Sequence, residues 1–258
     1  MEYWQERMAK SQDRLTAKRA KDVDKQIAKY YEQSMKRCIN AFEATYAKVL
    51  EQVEMGQQVT PAHLYKLDSY WKMQGELRQE LEKLGNKQIA LLSKQFEAEF
   101  SDVYNSIALP SQQAFSTVSQ ETITQMVNQI WCADGKSWSQ RVWSNTEELA
   151  QTLNDELLHC VATGKKTSQL KNILQERFKV SYSRADALVR TELAHIQTQA
   201  AQQRYKDYGI KQVEVLVDVD GRTCDECKKH EGERYDINAR MPVPFHPRCR
   251  CCVVPVVE

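Results

Sequence analysis

The chain has 258 residues with 36 Lys and Arg against 35 Asp and Glu, a formal net charge of +1. So even a balance excludes bulk attraction to nucleic acid or membrane and leaves only local basic faces. With 8 glycines, 6 prolines and 41% hydrophobic residues, the composition favours long helices with a very polar surface over sheets.

The start, Met1-Glu-Tyr-Trp-Gln-Glu-Arg, lacks the apolar run of a secretory signal, and no stretch approaches the roughly 18 apolar residues that span a bilayer. The expectation is a soluble protein made in a reducing cytoplasm, with no membrane partner. Residues 2–21 are polar and rich in Lys and Arg, and read as a solvated or frayed leader; as a helix they would need a partner. From Asp22 to Val53 the residues Ile27, Tyr31, Met35, Ile39, Phe42, Tyr46, Val49 and Val53 recur in steps of three and four, the stripe of a long amphipathic helix closed by Gly56. Thr60-Pro61 opens a second helix, with Thr as N-cap and Pro at the first helical position. It carries Tyr65, Leu67, Trp71 and Leu77 and ends near Gly85-Asn86. A third holds Ile89, Leu92, Phe96, Phe100, Val103 and Tyr104 and stops before Pro110. Ser119 caps a short segment with Ile123, Val127 and Ile130.

Ser137-Trp-Ser-Gln140 has capping-box spacing and starts a helix bearing Val142, Trp143, Leu149, Leu153, Leu157 and Val161, stopped by Gly164. Thr167 starts the next, with Leu170, Leu174 and Phe178. Ser183-Arg-Ala-Asp186 starts the last long one, carrying Leu188, Leu193 and Ile196 to Tyr208-Gly209, where glycine suits a left-handed cap. The period then changes: Val213, Val215, Val217 and Val219 alternate as in a strand, and Cys252-Val-Val-Pro-Val-Val257 is a second β-rich run. The predicted fold is α+β and predominantly α-helical. It has a long helical N-terminal region (1–110), a helical middle part (111–209) and a small Cys/His-containing module with a sheet (210–258).

Of 8 cysteines, Cys38, Cys132 and Cys160 stand alone and read as free thiols. Five others fall between Cys224 and Cys252. Cys224-Asp-Glu-Cys227 is a Cys-x-x-Cys pair, and His246-Pro-Arg-Cys249-Arg-Cys251 follows after 18 residues. Two tight turns at that separation place four soft donors at tetrahedral corners, the arrangement zinc prefers. A redox pair is disfavoured, because no strand–helix pattern of the thioredoxin type precedes the thiols. Cys224, Cys227 and Cys249 are expected ligands, and His246 and Cys251 compete for the fourth place. Cys252 reads as a strand residue facing a core. The intervening stretch, with Gly232 and Pro242-Val-Pro244, reads as loop. One structural zinc ion in a closed four-ligand site is expected.

Arg190-Thr191-Glu192, then Gly209, then Asp220-Gly-Arg-Thr-Cys-Asp-Glu-Cys227, then Phe245-His-Pro-Arg-Cys-Arg-Cys251 together resemble the phage Mu F-like head morphogenesis family, minor head proteins of tailed phages and prophages. Trp138-Ser-Gln-Arg-Val-Trp143 with Asn145 is similar to the helical region that precedes this domain. The specific likeness covers about residues 131–256, while the first 110 residues match in character. Cys252, directly after Cys251, departs from the pattern. The resemblance implies a few-copy component of the procapsid near the portal, contacting portal or major capsid protein, in the virion head and in the host cytoplasm during assembly. Some relatives join this domain to a toxin; the chain stops a few residues after the motif, so no such cargo is expected.

Two rival classes have some support. Glu192 and His195 have the spacing of a Glu-x-x-His metal motif, but di-metal sites need a second copy; a salt bridge of Arg190 and Glu192 to the zinc module is the preferred role. A zinc-dependent nuclease would use His246 or His230 as base. A nucleic-acid-binding protein would use Arg248, Arg250, Lys228 and Lys229, yet Asp225, Glu226, Glu231 and Glu233 offset them. Sequence-independent contact of the basic N-terminal helix with packaged DNA is the more plausible form. No small-molecule substrate and no catalytic turnover are expected. The surplus of aromatics at Trp4, Tyr30, Tyr31, Tyr65 and Trp71 points to attachment.

Overall fold

The structure is a computed structural model that describes residues 3–54, 60–109, 117–217 and 223–257. Gly56, Pro110, Val219 and Asp220-Gly-Arg222 fall outside those residues, as do the side chains of Trp4 and Val53. The protein is mostly helical, with a small sheet near the C-terminal end. Seven helices are described: α1 (Tyr3–Glu54), α2 (Pro61–Leu64), α3 (Asp68–Ser106), α4 (Gln120–Val127), α5 (Trp138–Ala162), α6 (Thr167–Asp207) and α7 (Asp225–Lys228). The strands are β1 (Gln212–Leu216), β2 (Arg234–Asp236) and β3 (Cys252–Pro255). Among the described residues, no helix is long and apolar enough to cross a membrane.

The chain divides into two compact units. Met1–Asp24, Leu91–Trp138 and Asp186–Glu258 form the first; Lys25–Ala90 and Ser139–Ala185 form the second.

In the first unit, the polar start of α1 is helix, and its partners come from the unit itself. Ala9, Gln12, Ala20 and Val23 are buried along one face. The Thr16 hydroxyl lies between Glu99 and Gln197, and Arg19 Nε meets Glu99 Oε2 at 2.6 Å. Glu99 is fully buried, which raises its carboxyl pKa against the opposing pull of Thr16 and Arg19. A buried carboxylate persists only when such donors replace its lost water. The expected frayed leader is thus a packed helix. Its short polar side chains bury little apolar area but satisfy a polar network, which hydrophobic periodicity does not register.

In the second unit, Ile27, Tyr31, Ile39, Phe42, Tyr46 and Val49 of α1 are buried, as the stripe predicts. Leu77, Leu81 and Leu84 of α3, Leu149, Leu153 and Leu157 of α5, and Leu170, Leu174 and Phe178 of α6 complete this core. Asn145 Nδ2 donates to Tyr31 Oη and to the Ser181 carbonyl, both at 3.0 Å, so one amide fixes two neighbouring helices. Gly164, at φ +62°, closes α5, and Lys165 N–H returns to the Cys160 carbonyl.

Gly85 does not end a helix: α3 runs through it, and a Cβ there would lie 2.6 Å from the Trp143 ring. The glycine serves close helix approach rather than termination. Ser183 does not start a helix, because α6 is continuous from Thr167 to Asp207 and that span contains neither Gly nor Pro. Tyr65 and Trp71 are not stripe residues; they are 47% and 57% exposed, each meets the Tyr70 ring edge-on, and the Trp71 indole N–H donates to the Tyr65 carbonyl at 2.9 Å. Thr60 is an N-cap as read, but of the short α2 alone, and the chain starts a new helix at Asp68; the Ser119 cap on α4 is found as read.

After α6, Gly209 at φ +75° caps the helix, with Ile210 N–H bonded to the Tyr205 carbonyl at 3.0 Å. The chain then enters an antiparallel sheet in the order β2-β1-β3. Val213 pairs with Tyr235 and Pro255, and Val215 with Val253. Val213, Val215 and Val217 are buried, in keeping with their alternation. β2 stands where the sequence reads as loop, because its three residues between Gly232 and the prolines are too few to show a period; Ile237, Met241 and Val243 beyond it are also buried. β3 is buried at all four positions, with Cys252 and Val254 packed on Ala9 of α1. Gln5 Nε2 donates to the Pro255 carbonyl at 2.7 Å and ties the start of α1 to the end of β3.

Candidate metal centre

All of the site lies in the first unit, beside the sheet. Cys224 is the N-cap of α7, and its Sγ accepts the Cys227 N–H at 3.4 Å. His230 N–H closes the turn on the Cys227 carbonyl at 3.0 Å. This is why Cys-x-x-Cys works as a chelating pair: one helical turn folds both sulfurs to the same side. The second turn is His246-Pro-Arg-Cys249, closed by Cys249 N–H on the His246 carbonyl at 3.1 Å.

The two turns face each other. His246 Nε2 lies 3.2 Å from Cys224 Sγ and 3.1 Å from Cys227 Sγ, and Cys227 Sγ lies 3.8 Å from Cys249 Sγ. A tetrahedron with metal–sulfur bonds of about 2.3 Å has sulfur–sulfur edges of about 3.8 Å, so the Cys227–Cys249 pair already has that edge. Two donor trios form, Cys224–Cys227–His246 and Cys227–Cys249–Cys251, with the atoms of each within 4.8 Å of one another. Cys227 belongs to both. The five expected residues therefore fall into two trios, neither of which joins Cys224 to Cys249 as expected, and the cluster could hold a metal ion. His246 Nδ1 contacts the Pro247 carbonyl at 2.9 Å, which turns Nε2 toward the thiols.

The chemistry of the donors fits a cation. A hydrogen bond from Cys251, and secondarily backbone N–H groups, push the Cys249 thiol down to about 5. Cys251 is raised, chiefly by donating to Cys249, and burial pushes Cys227 up to about 12. The Cys227 backbone N–H lowers Cys224, and the Pro247 carbonyl raises His246. Without a cation, then, adjacent sulfurs resist ionising together. A divalent ion would displace those protons and hold several thiolates at once.

The surroundings are mostly committed locally. Lys228 pairs with Asp225 at 2.9 Å and Lys229 with Glu226 at 2.8 Å. His230 stacks on Phe245 with centroids 4.0 Å apart and meets Glu233 Oε2 at 2.8 Å. Glu192 accepts from the Trp131 indole at 2.9 Å, and His195 stacks on that indole with centroids 4.1 Å apart. Arg190 is linked to the module through Asp186. Arg190 meets Asp186 Oδ1 at 2.7 Å, and it is Asp186 Oδ2 that reaches Arg248, at 3.0 Å. Sequence reasoning missed Asp186 and Thr191; the signal available was their position next to Arg190-Thr191-Glu192.

Long helices, a three-stranded sheet and a Cys/His cluster held between two turns define a helical protein whose small C-terminal module carries donors that could hold a metal ion. Residues 151–254 match the family model described as Phage Mu protein F like protein, so the resemblance read from the sequence is shown over a segment that includes all five cluster residues. The chain is also similar to the NAD(+)–arginine ADP-ribosyltransferase EFV of Enterococcus faecalis, 25% identical over 142 residues. That alignment covers 48% of this chain and 29% of the relative, so the chain spans less than a third of that protein's length. No solved structure matches.

Proposed function

We propose that this chain is a minor structural protein of a tailed phage or prophage head, acting in head morphogenesis by attachment rather than by turnover. Its C-terminal module is built around one structural zinc ion. The observation that carries the reading is the family match over residues 151–254 together with the facing Cys/His turns inside it. Portal or major capsid protein is the proposed partner, and the exposed Tyr65 and Trp71 are candidates for contact. The transferase similarity covers too little of that relative to carry a catalytic role here. Mass spectrometry of purified particles tests the proposal: the protein should co-purify with heads, and heads free of it in a producing strain would overturn the reading.

One observation favours an added contact with packaged DNA. Arg7, Lys10, Arg14, Lys18 and Lys21 are exposed and fall on one face of α1 at steps of three and four, while Glu6, Asp13, Asp22 and Asp24 lie off that face or at its rim. Lys10 pairs with Glu6. Duplex binding through this face should weaken with salt at a log–log slope no steeper than about −4.5. Salt-independent or absent binding would remove this part of the proposal.

A further inference from the structure

We infer that Asp186, Thr191 and Arg248 form a clamp by which α6 positions the His246–Cys249 half of the metal cluster. The inference rests on the metal reading above. Arg248 sits between His246 and Cys249 at φ +62°, the one non-glycine with positive φ among the described residues. An L side chain holds that conformation only where its surroundings fix it. Here two contacts do so. The Arg248 N–H donates to Thr191 Oγ1 at 3.1 Å, and its guanidinium meets Asp186 Oδ2 at 3.0 Å.

Both anchors are themselves oriented by the helix. The Thr191 hydroxyl donates to the Ala187 carbonyl at 2.6 Å, which commits its proton and leaves lone pairs for Arg248 N–H. Asp186 Oδ1 is held by Arg190 Nε at 2.7 Å, so Oδ2 is turned outward to Arg248. Two i,i+4 pairs on α6 thus present one acceptor to the backbone and one to the side chain of the same strained residue. Neither Asp186 nor Thr191 belongs to a donor trio. Their effect passes through the turn: with Arg248 left-handed, Cys249 N–H closes on the His246 carbonyl and both donors face Cys227. This gives Arg190-Thr191-Glu192 a physical role. Thr191 holds the turn, Arg190 aims the carboxylate, and Glu192 anchors the same helix to Trp131.

The test uses the full chain with Thr191→Val, Thr191→Ser, Arg248→Ala and Arg248→Gly. Zinc affinity is read by competition with a chromophoric chelator, and Cys249 accessibility by its iodoacetamide alkylation rate in the protein as purified. Thr191→Val and Arg248→Ala should weaken zinc binding by roughly 10- to 100-fold, as loss of supporting contacts does elsewhere, with helical circular dichroism unchanged. Thr191→Ser should restore native affinity. Arg248→Gly, which accepts positive φ without strain, should lose less than Arg248→Ala. Native affinity in both Thr191→Val and Arg248→Ala, or failure of Thr191→Ser to rescue, would overturn the clamp. If the native chain takes up no zinc, the metal reading fails separately, and alkylation decides: Cys249 must react faster in Thr191→Val and Arg248→Ala, and equal rates would sink the clamp.

Discussion

Gly85 and Gly75 lie on the same helix, α3, yet replacement by alanine should stabilise at Gly75 and give no gain at Gly85. In a helix interior, alanine in place of glycine gains about 1 kcal/mol from backbone entropy and helix propensity. At Gly75 a Cβ would meet nothing within 4 Å, so Gly75→Ala should gain that amount in full. At Gly85 a Cβ would lie 2.6 Å from Trp143 Cζ3 and 3.0 Å from two further ring atoms. Real contacts do not come so close, so the indole or the helix must move, and overpacking of this kind costs about 1–3 kcal/mol. Gly85→Ala should therefore end about 1–3 kcal/mol below Gly75→Ala. Urea unfolding followed by helical circular dichroism reads the difference, with the slope checked for constancy. A second arm isolates the cause: in a Trp143→Leu background, Gly85→Ala should become stabilising. Equal gains at both glycines in the native background would refute the close-approach account of Gly85.

Three further outcomes follow from the site and its supports. Cys224→Ser or Cys227→Ser should unfold the sheet and cluster while most helical signal persists, since metal binding supplies on the order of 10 kcal/mol to such a module; global collapse on circular dichroism would contradict this. His195 is 5% exposed with neither ring nitrogen hydrogen-bonded among the described residues, and burial, with Arg240 nearby, depresses its pKa from 6.5 to about 3. It stays neutral when folded but takes up a proton on unfolding, so its contribution is present above pH 6.5 and is lost as pH falls toward 3, by up to roughly 5 kcal/mol at about 1.4 kcal/mol per pH unit. His195→Phe keeps the stack on Trp131 and should flatten that part of the pH–stability curve; an unchanged curve would show that His195 does not carry it. Glu99→Gln tests the buried network: because burial raises the folded pKa of Glu99, its contribution is fully present below the ordinary carboxyl range and is lost as pH rises through the raised value. The variant should gain on the native chain as pH rises, and a pH-independent difference would refute this.

Much of the helical body was legible because its apolar residues repeat at helical steps: the stripe from Ile27 to Val49, the Leu149–Leu153–Leu157 run and the Gly209 cap all stand where their spacing puts them. The five cluster residues were legible for a different reason. A metal needs particular atoms at short spacing, so Cys224, Cys227, His246, Cys249 and Cys251 announce themselves without any knowledge of the fold. What failed was local punctuation with a tertiary cause. Gly85 looks like a stop until Trp143 is beside it, and Ser183 looks like a cap until α6 is seen to run on through it. The polar start of α1 looked unpacked because its partners, Glu99 and Gln197, are far away in sequence and bond to it through polar atoms. The Asp186–Arg248 and Thr191–Arg248 contacts were hidden likewise, being 62 and 57 residues apart. Trp71 shows the converse error, since an aromatic at helical spacing need not face the core.

Elemental analysis of the purified full chain decides whether the two Cys/His turns close around one zinc ion. The expected result is close to one equivalent of zinc per chain, retained through gel filtration and released when the thiols are modified. A metal-free chain whose β1–β3 sheet is nonetheless fully folded, judged by protected amides at Val213, Val215 and Val253, would contradict it.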